Sequence, residues 1–349
     1  MTEPLTQIRT KRKKFSLTLG QLCFGWFSLF CLLLILRNAE IAIEYMNRGL
    51  RLCAKTVIPA LFPFMVISEL IVSGGIGTLL LRPVSRPLKR LFRLPEEGCC
   101  TVILGMLCGF PVGAKCAVSA LERGTLTREE AERVLLFSSN PSSAFLINAV
   151  GVSLWGNRRF GTLLWIASLI SQLTVGLLFT HLTYKKEAKI ASSDTSFHSA
   201  SLSGIKLFTE AVRSSCFGML LICAYVIFFS ALVGTLNLML EQFGATATVK
   251  AILFGVFELS GGMSAAASLS VPLVGALLCA FAAGWSGLSV HCQLLSICDG
   301  HGLHLKRYLV AKLLQSALCV LLVWLFLRFD PSALIPDQGC VLQSLKIRQ

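Results

Sequence analysis

The chain has 349 residues, of which 54% are hydrophobic and only 14% charged, with a mean hydropathy of +0.72. Soluble domains carry about 25% charged residues, so this composition excludes an ordinary soluble protein. The net charge of +14 does not make it a nucleic-acid binder, because the basic residues lie between apolar runs, where the positive-inside rule places them in cytoplasmic loops. No basic groove with interleaved aromatics is present.

In chain order, Lys11, Arg12, Lys13 and Lys14 precede a run from 15 to 36 without a formal charge. It is long enough to cross a bilayer. It exceeds a signal-peptide core, and Arg37-Asn38-Ala39-Glu40 is a poor cleavage site. An uncleaved first span with a cytoplasmic N-terminus is therefore expected. The mixed stretch 37–55 reads as an interfacial helix at the far surface. The apolar run 56–81 carries Pro59, Pro63, Gly74, Gly75 and Gly77, and is expected to be kinked or broken. Arg82, Arg86, Lys89, Arg90 and Arg93 follow with no acidic residue among them, the clearest cytoplasmic marker in the chain.

The run 101–121 is interrupted by Gly109-Phe110-Pro111-Val112-Gly113-Ala114-Lys115. Thr127 and Glu130 then have capping-box spacing for a helix start. Ser138-Ser139-Asn140-Pro141-Ser142-Ser143 breaks the run 134–154, and 160–182 is a clean span. A Ser-rich linker leads to the second half, with runs at 207–240, 249–269, 272–298 and 308–329. Here the interruptions are Glu258-Leu259-Ser260-Gly261 and Gly284-Trp285-Ser286-Gly287-Leu288-Ser289-Val290-His291.

Each half thus runs long span, broken segment, second broken segment, clean span, at an offset of roughly 150 residues, an internal repeat of the kind on which many transporters are built. Loop charge makes the two copies inverted if 101–121 enters and leaves from the cytoplasmic side. Arg158 and Arg159 then fall outside, against the rule. The fold expected is an all-α polytopic membrane protein with two inverted repeats of broken or re-entrant helices and an N-terminal transmembrane helix. Its divisions are a basic tail and first span (1–44), a first repeat (45–184), a polar linker (185–205), a second repeat (206–329) and a C-terminal tail (330–349).

Helix breaks survive in hydrocarbon only where protein or a polar cavity satisfies their peptide groups, and transporters put solute at such breaks. The candidate solute-binding residues are therefore Gly109, Pro111, Gly113, Lys115, Ser139, Asn140, Ser142, Ser143, Glu258, Ser260, Gly261, Ser286, Ser289, His291 and Gln293. Lys115 suits an anionic solute, and Glu258 a cation, proton, amine or hydroxyl; the bland alternative pairs the two with each other. His291 and Gln293 are two apart and cannot share one helix face. The 14 cysteines contain no C-x-x-C pair and read as small apolar packing residues. His301, His304 and Asp299 are too loosely spaced for a metal site. The Gly109–Lys115 stretch lacks the spacing of a phosphate-binding loop. No catalytic constellation, cofactor motif or ATP site is apparent, so a non-enzymatic role is expected.

The elements Pro59-Ala60-Leu61-Phe62-Pro63-Phe64-Met65, Gly109–Lys115, Ser138–Phe145 and Gly287-Leu288-Ser289-Val290-His291-Cys292-Gln293 resemble the YlbJ-type sporulation integral membrane protein family over roughly 45–328. Pro141-Ser142-Ser143 departs from the Asn- and Gly-containing version of that break. The resemblance implies a nucleoside-recognition Gate domain in each repeat, similar to part of concentrative nucleoside transporters. It also implies a place in the outer forespore membrane and transport of the dianion dipicolinate. The expected partners are a small anionic solute and the bilayer, with a coupling ion and a homo-oligomer also to be considered and no nucleic acid. Nucleoside transport and a structural sporulation role remain the alternatives.

Overall fold

The computed structural model describes residues 19–74, 77–183 and 204–335, and among these the regular structure is helical throughout. The basic tail before Leu19, nearly all of the linker at 185–205 and the last residues of the C-terminal tail lie outside the described residues.

Helix α1 (Leu19–Arg37) ends at Asn38, where the chain bends by 98° into α2 (Ala39–Leu52). The stretch 37–55, expected to be an interfacial helix, does not stand by itself. Instead α2 continues through a π-helical segment, Cys53–Val57, into α3 (Ile58–Ser73), and packs lengthwise on α9 (Gly204–Gln242). A Cβ added to Gly49 would stand 2.8 Å from Ser230 Oγ, and one on Gly234 2.3 Å from the Tyr45 ring. Ala42 and Gly49 are buried on this seam, while Ile43, Met46 and Leu50 stay exposed along a neighbouring stripe. Pro59 explains the π turn: it has no N–H to give the carbonyl four residues back, and the Ile58 N–H reaches Cys53 O in the wider register. The helix ends at Gly74, and α4 (Gly77–Phe92) carries the basic cluster.

Helices α5 (Glu96–Cys108) and α6 (Phe110–Glu122) meet at Gly109, whose φ of 96° and ψ of 179° suit glycine alone. In one straight helix, residues eight apart lie about 12 Å apart. Here a Cβ on Gly105 would be 3.1 Å from Gly113 Cα, so the two arms fold back as a re-entrant hairpin. Helices α10 (Ala247–Phe257) and α11 (Leu259–Ala267) do the same: a Cβ on Gly262 would lie 2.2 Å from Gly255 Cα.

After each hairpin comes an interrupted helix. Helix α7 (Arg128–Phe137) starts at the expected capping box, with Thr127 and Glu130 bonded reciprocally, and is separated by 138–144 from a π-helical segment, Phe145–Leu154. Helices α12 (Pro272–Trp285) and α13 (Gly287–Cys298) are separated by Ser286, in the left-handed region at φ 73°. Helices α8 (Arg158–Thr183) and α14 (Lys306–Phe329) close the halves. Among the described residues, four helical runs are long and apolar enough to cross a membrane, those at 158–182, 204–242, 272–298 and 306–329, with the bent pair at 22–55 a fifth.

Contacts between loops fix the relative orientation. His301 Nε2 pairs with Glu122 at 2.9 Å, and the His304 N–H donates to Glu132 at 2.7 Å. Arg123 donates to Val72 O at 2.6 Å. The turns after α3, α6 and α13 therefore share one face. On the other, Asn157 Nδ2 donates to Ile335 O at 2.5 Å, and Gly275 sits against Ala266 O and Trp155. The first hairpin opens on the face of α4, the second on the opposite face, and the long helices α2–α3 and α9 run antiparallel. The two halves are inverted copies.

Candidate functional site

Each hairpin tip is seated on the break of the helix that follows it. Ser138 O lies 2.4 Å from a Cβ built on Gly105 and 2.2 Å from one on Gly113, while Gly109 faces Ser142 and Asn140 O. In the second half Gly287 faces Leu259 N and the Glu258 backbone. Glycine is required at these points because backbone meets backbone, with no room for a side chain.

The first break is the polar hub. Asn140 Nδ2 donates to Gln172 Oε1 at 2.5 Å and to Ser168 O at 3.3 Å, both on α8. Asn140 Oδ1 accepts from Gln315 Nε2 at 2.5 Å and from Lys312 Nζ at 3.0 Å, both on α14. Lys312 Nζ also donates to the Ser139 carbonyl. Lys312, Gln315, Gln172 and Ser139 are fully buried and Asn140 nearly so. One asparagine thus ties the break to both closing helices, which belong to different repeats.

In the second half Glu258 is buried, and its carboxylate caps α11 by accepting from Ser260 N at 2.9 Å and Gly261 N at 2.5 Å. The positive end of a helix suits a carboxylate there. Ser286 is buried in the break. His291 Nδ1 shares a hydrogen bond of 3.0 Å with the Tyr308 hydroxyl, and Gln293 Nε2 donates to Ser289 at 3.3 Å. His291 and Gln293 are both buried and use different partners, as their two-residue spacing requires.

The structure therefore gathers Ser139 and Asn140 with Lys312 and Gln315, and Glu258, Ser260, Gly261 and Ser286 with Gly287. Pro111 and Gly113 are buried in the first hairpin, Ser142 caps the Phe145 N–H at 3.3 Å, and Ser143 is half-buried. Lys115 is placed differently. It ion-pairs with Glu69 of α3 at 3.0 Å, on the flank of the hairpin, and does not pair with Glu258. His301 and His304 hold carboxylates, not one another, and no His/Cys/Asp/Glu group among the described residues could hold a metal.

The lysine at the hub went unread in the sequence, although a signal existed. Lys312, Gln315 and Ser316 form one stripe in an otherwise apolar run, and Ser168, Ser171 and Gln172 form its counterpart on α8. Spacing of three and four residues puts each set on one helix face. Around both breaks several buried polar atoms have no hydrogen-bond partner among the described residues: Ser138 Oγ, Ser139 Oγ, Gln172 Nε2, Ser286 Oγ, His291 Nε2 and Gln293 Oε1. Native interiors leave few such atoms, and each calls for an explanation such as a bound molecule.

The loop contacts carry a prediction. Hydrogen bonding to Glu122 raises the pKa of His301, so protonation favours the clasp between hairpin and α13–α14 turn. A raised histidine pKa contributes stability below its unfolded value near 6.5, and that contribution disappears as pH rises through the folded value. Glu122 is more than half exposed, so only a few tenths of a kcal/mol are expected. Wild type should melt above Glu122→Gln at pH 5.5, with the gap closing by pH 8.5. A gap that widens with pH would reject this role. Glu132, Arg128 and Asp299 face the same turn and are kept in both proteins.

Helical wherever it is described, with four runs there long and apolar enough to cross a membrane and with two inverted halves, this is a polytopic integral membrane protein. The chain is 28% identical over 342 residues to the sporulation integral membrane protein YlbJ of Bacillus subtilis (strain 168), a match covering 88% of this chain and 83% of that protein. The similarity is to a protein of the type that its motifs resemble. No family model and no solved structure matches it.

Proposed function

We propose that this protein is a small-solute transporter of the outer forespore membrane and that its solute is dipicolinate. The observation that carries transport is the convergence of two re-entrant tips and two interrupted helices, from oppositely oriented repeats, on buried polar groups. Rocking one repeat against the other would expose that site to each side in turn, the mechanism common to inverted-repeat transporters. Dipicolinate rests on the YlbJ resemblance and on charge: the hub holds a buried lysine, and a dianion needs a cationic partner. No enzymatic step is assigned.

The test is uptake of dipicolinate and of uridine into liposomes containing the purified full chain. Saturable dipicolinate uptake at least tenfold above empty liposomes is expected, with Lys115→Ala reducing it less than Lys312→Met, because Lys115 is already paired with Glu69. Uridine uptake without dipicolinate uptake would replace the solute. Failure of both, from folded protein, would sink transport and leave a structural role.

A further inference from the structure

The oxygens around Lys312 are those that a monovalent metal ion would choose. Unwound backbone carbonyls at a broken membrane helix, together with uncharged side-chain oxygens, coordinate sodium in many transporters. At the break after α7 the Ser139 carbonyl and Asn140 Oδ1 converge in this way, and what they hold is an ammonium group at the end of a lysine from the other repeat. Lys312 has no carboxylate ion-pair partner among the described residues. Its charge is met by neutral oxygens, as a bound ion's would be. The Tyr308 ring centroid, 6.0 Å away, adds a weak cation–π contact. In the first half α8 presents only Ser168, Ser171 and Gln172 along its corresponding stripe, all uncharged.

An isolated charge inside a bilayer costs roughly 2.5–3.5 kcal/mol or more, so a lysine buried here draws on these oxygens as a free cation would. A tethered one has two consequences. It is always present, whatever the salt outside, and it cannot cross the membrane with the solute.

We propose that the break after α7 is a monovalent-cation site filled by the Lys312 ammonium, so that the protein holds its break together without sodium or potassium. That this also frees solute movement from an ion gradient rests on the transport reading above; the binding claim does not.

The experiment compares melting of the purified full chain in sodium, potassium and choline chloride at equal ionic strength. Wild type is expected to melt alike in all three. Lys312→Ala, which removes the tethered cation and opens room, is expected to melt lower in choline and to be raised saturably by sodium or potassium. Wild type stabilised saturably by either ion overturns the proposal, as does a folded Lys312→Ala protein indifferent to both. Should Lys312→Ala fold in none of the three salts, Lys312→Ser takes its place with the same expected result, and a folded Lys312→Ser protein indifferent to sodium and potassium overturns the proposal. Absence of any dipicolinate uptake would remove the transport reading while leaving the melting comparison intact.

Discussion

Gly113→Ala and Gly262→Ala should each yield almost no folded protein, whereas Gly25→Ala should purify like wild type. A methyl on Gly113 would lie 2.2 Å from Ser138 O, and one on Gly262 would lie 2.2 Å from Gly255 Cα. Both obstacles are backbone, which has no rotamer to yield. Relief requires either opening the hairpin or lifting it off the break. Overpacking in a core costs about 1–3 kcal/mol when side chains can adjust, and here they cannot, so the upper end or beyond is expected. Gly25 lies in α1 with nothing within 4 Å of its would-be Cβ, so alanine there should be harmless. The measurement is the yield of monodisperse protein from size exclusion, with melting of whatever is recovered. Wild-type yield and melting for Gly113→Ala would mean that the hairpin does not close onto Ser138 as described.

These glycines also show how far the sequence could be read. A glycine inside an apolar run announces a break or a close approach, and Gly109, Gly113, Gly261 and Gly287 were found that way. What it meets is set by residues far along the chain. Gly105 and Gly113 are adjacent in space only because Gly109 reverses the direction, and a kink at Gly109 would have given the same letters. Hydropathy therefore located four interruptions without separating two re-entrant tips from two crossing helices. Sidedness came from contacts: the loops at 122–133 and 299–307 are joined by His301–Glu122 and His304–Glu132.

Three features depend on contacts that no local pattern reports. The amphipathic pattern of 37–55 gives no sign of the contact with α9, because the seam is made by Ala42, Tyr45 and Gly49 while Ile43, Met46 and Leu50 stay exposed. Lys115 attracted attention as a charge beside a break, yet Glu69, which neutralises it, sits in another apolar run with no local sign of the pairing. Lys312 lies only six residues from Lys306, where a basic residue near the start of a span carries no local sign of burial. Its burial depends on α8, α14 and the break closing around it, which is tertiary information.

Asn140→Leu should be among the most damaging substitutions that leave backbone geometry unaltered. It withdraws the acceptor shared by Lys312 and Gln315 and the donor used by Gln172, and supplies nothing in return. Removing one partner of a buried charged network costs about 3–5 kcal/mol, mostly because the remaining charge is left uncompensated. That origin predicts strong non-additivity. Lys312→Met alone should also destabilise, since Asn140 and the Ser139 carbonyl lose a donor. In Asn140→Leu/Lys312→Met, however, the charge has gone along with its acceptor, and well-packed apolar replacements of a buried ionic group are often neutral. The double variant should therefore be more stable than Asn140→Leu alone, with a coupling energy of about 1–3 kcal/mol between the two sites. A thermodynamic cycle from reversible denaturation in mild detergent would measure it. Additive losses would mean that Asn140 acts through α8 and not through Lys312, and the hub would then divide into two independent contacts. If the coupling is found but the double variant no longer accumulates solute, the network is retained for what it does and not for stability. A buried polar hub at the meeting of two inverted repeats would then be present for function, against a packing cost that a simpler apolar core would have avoided.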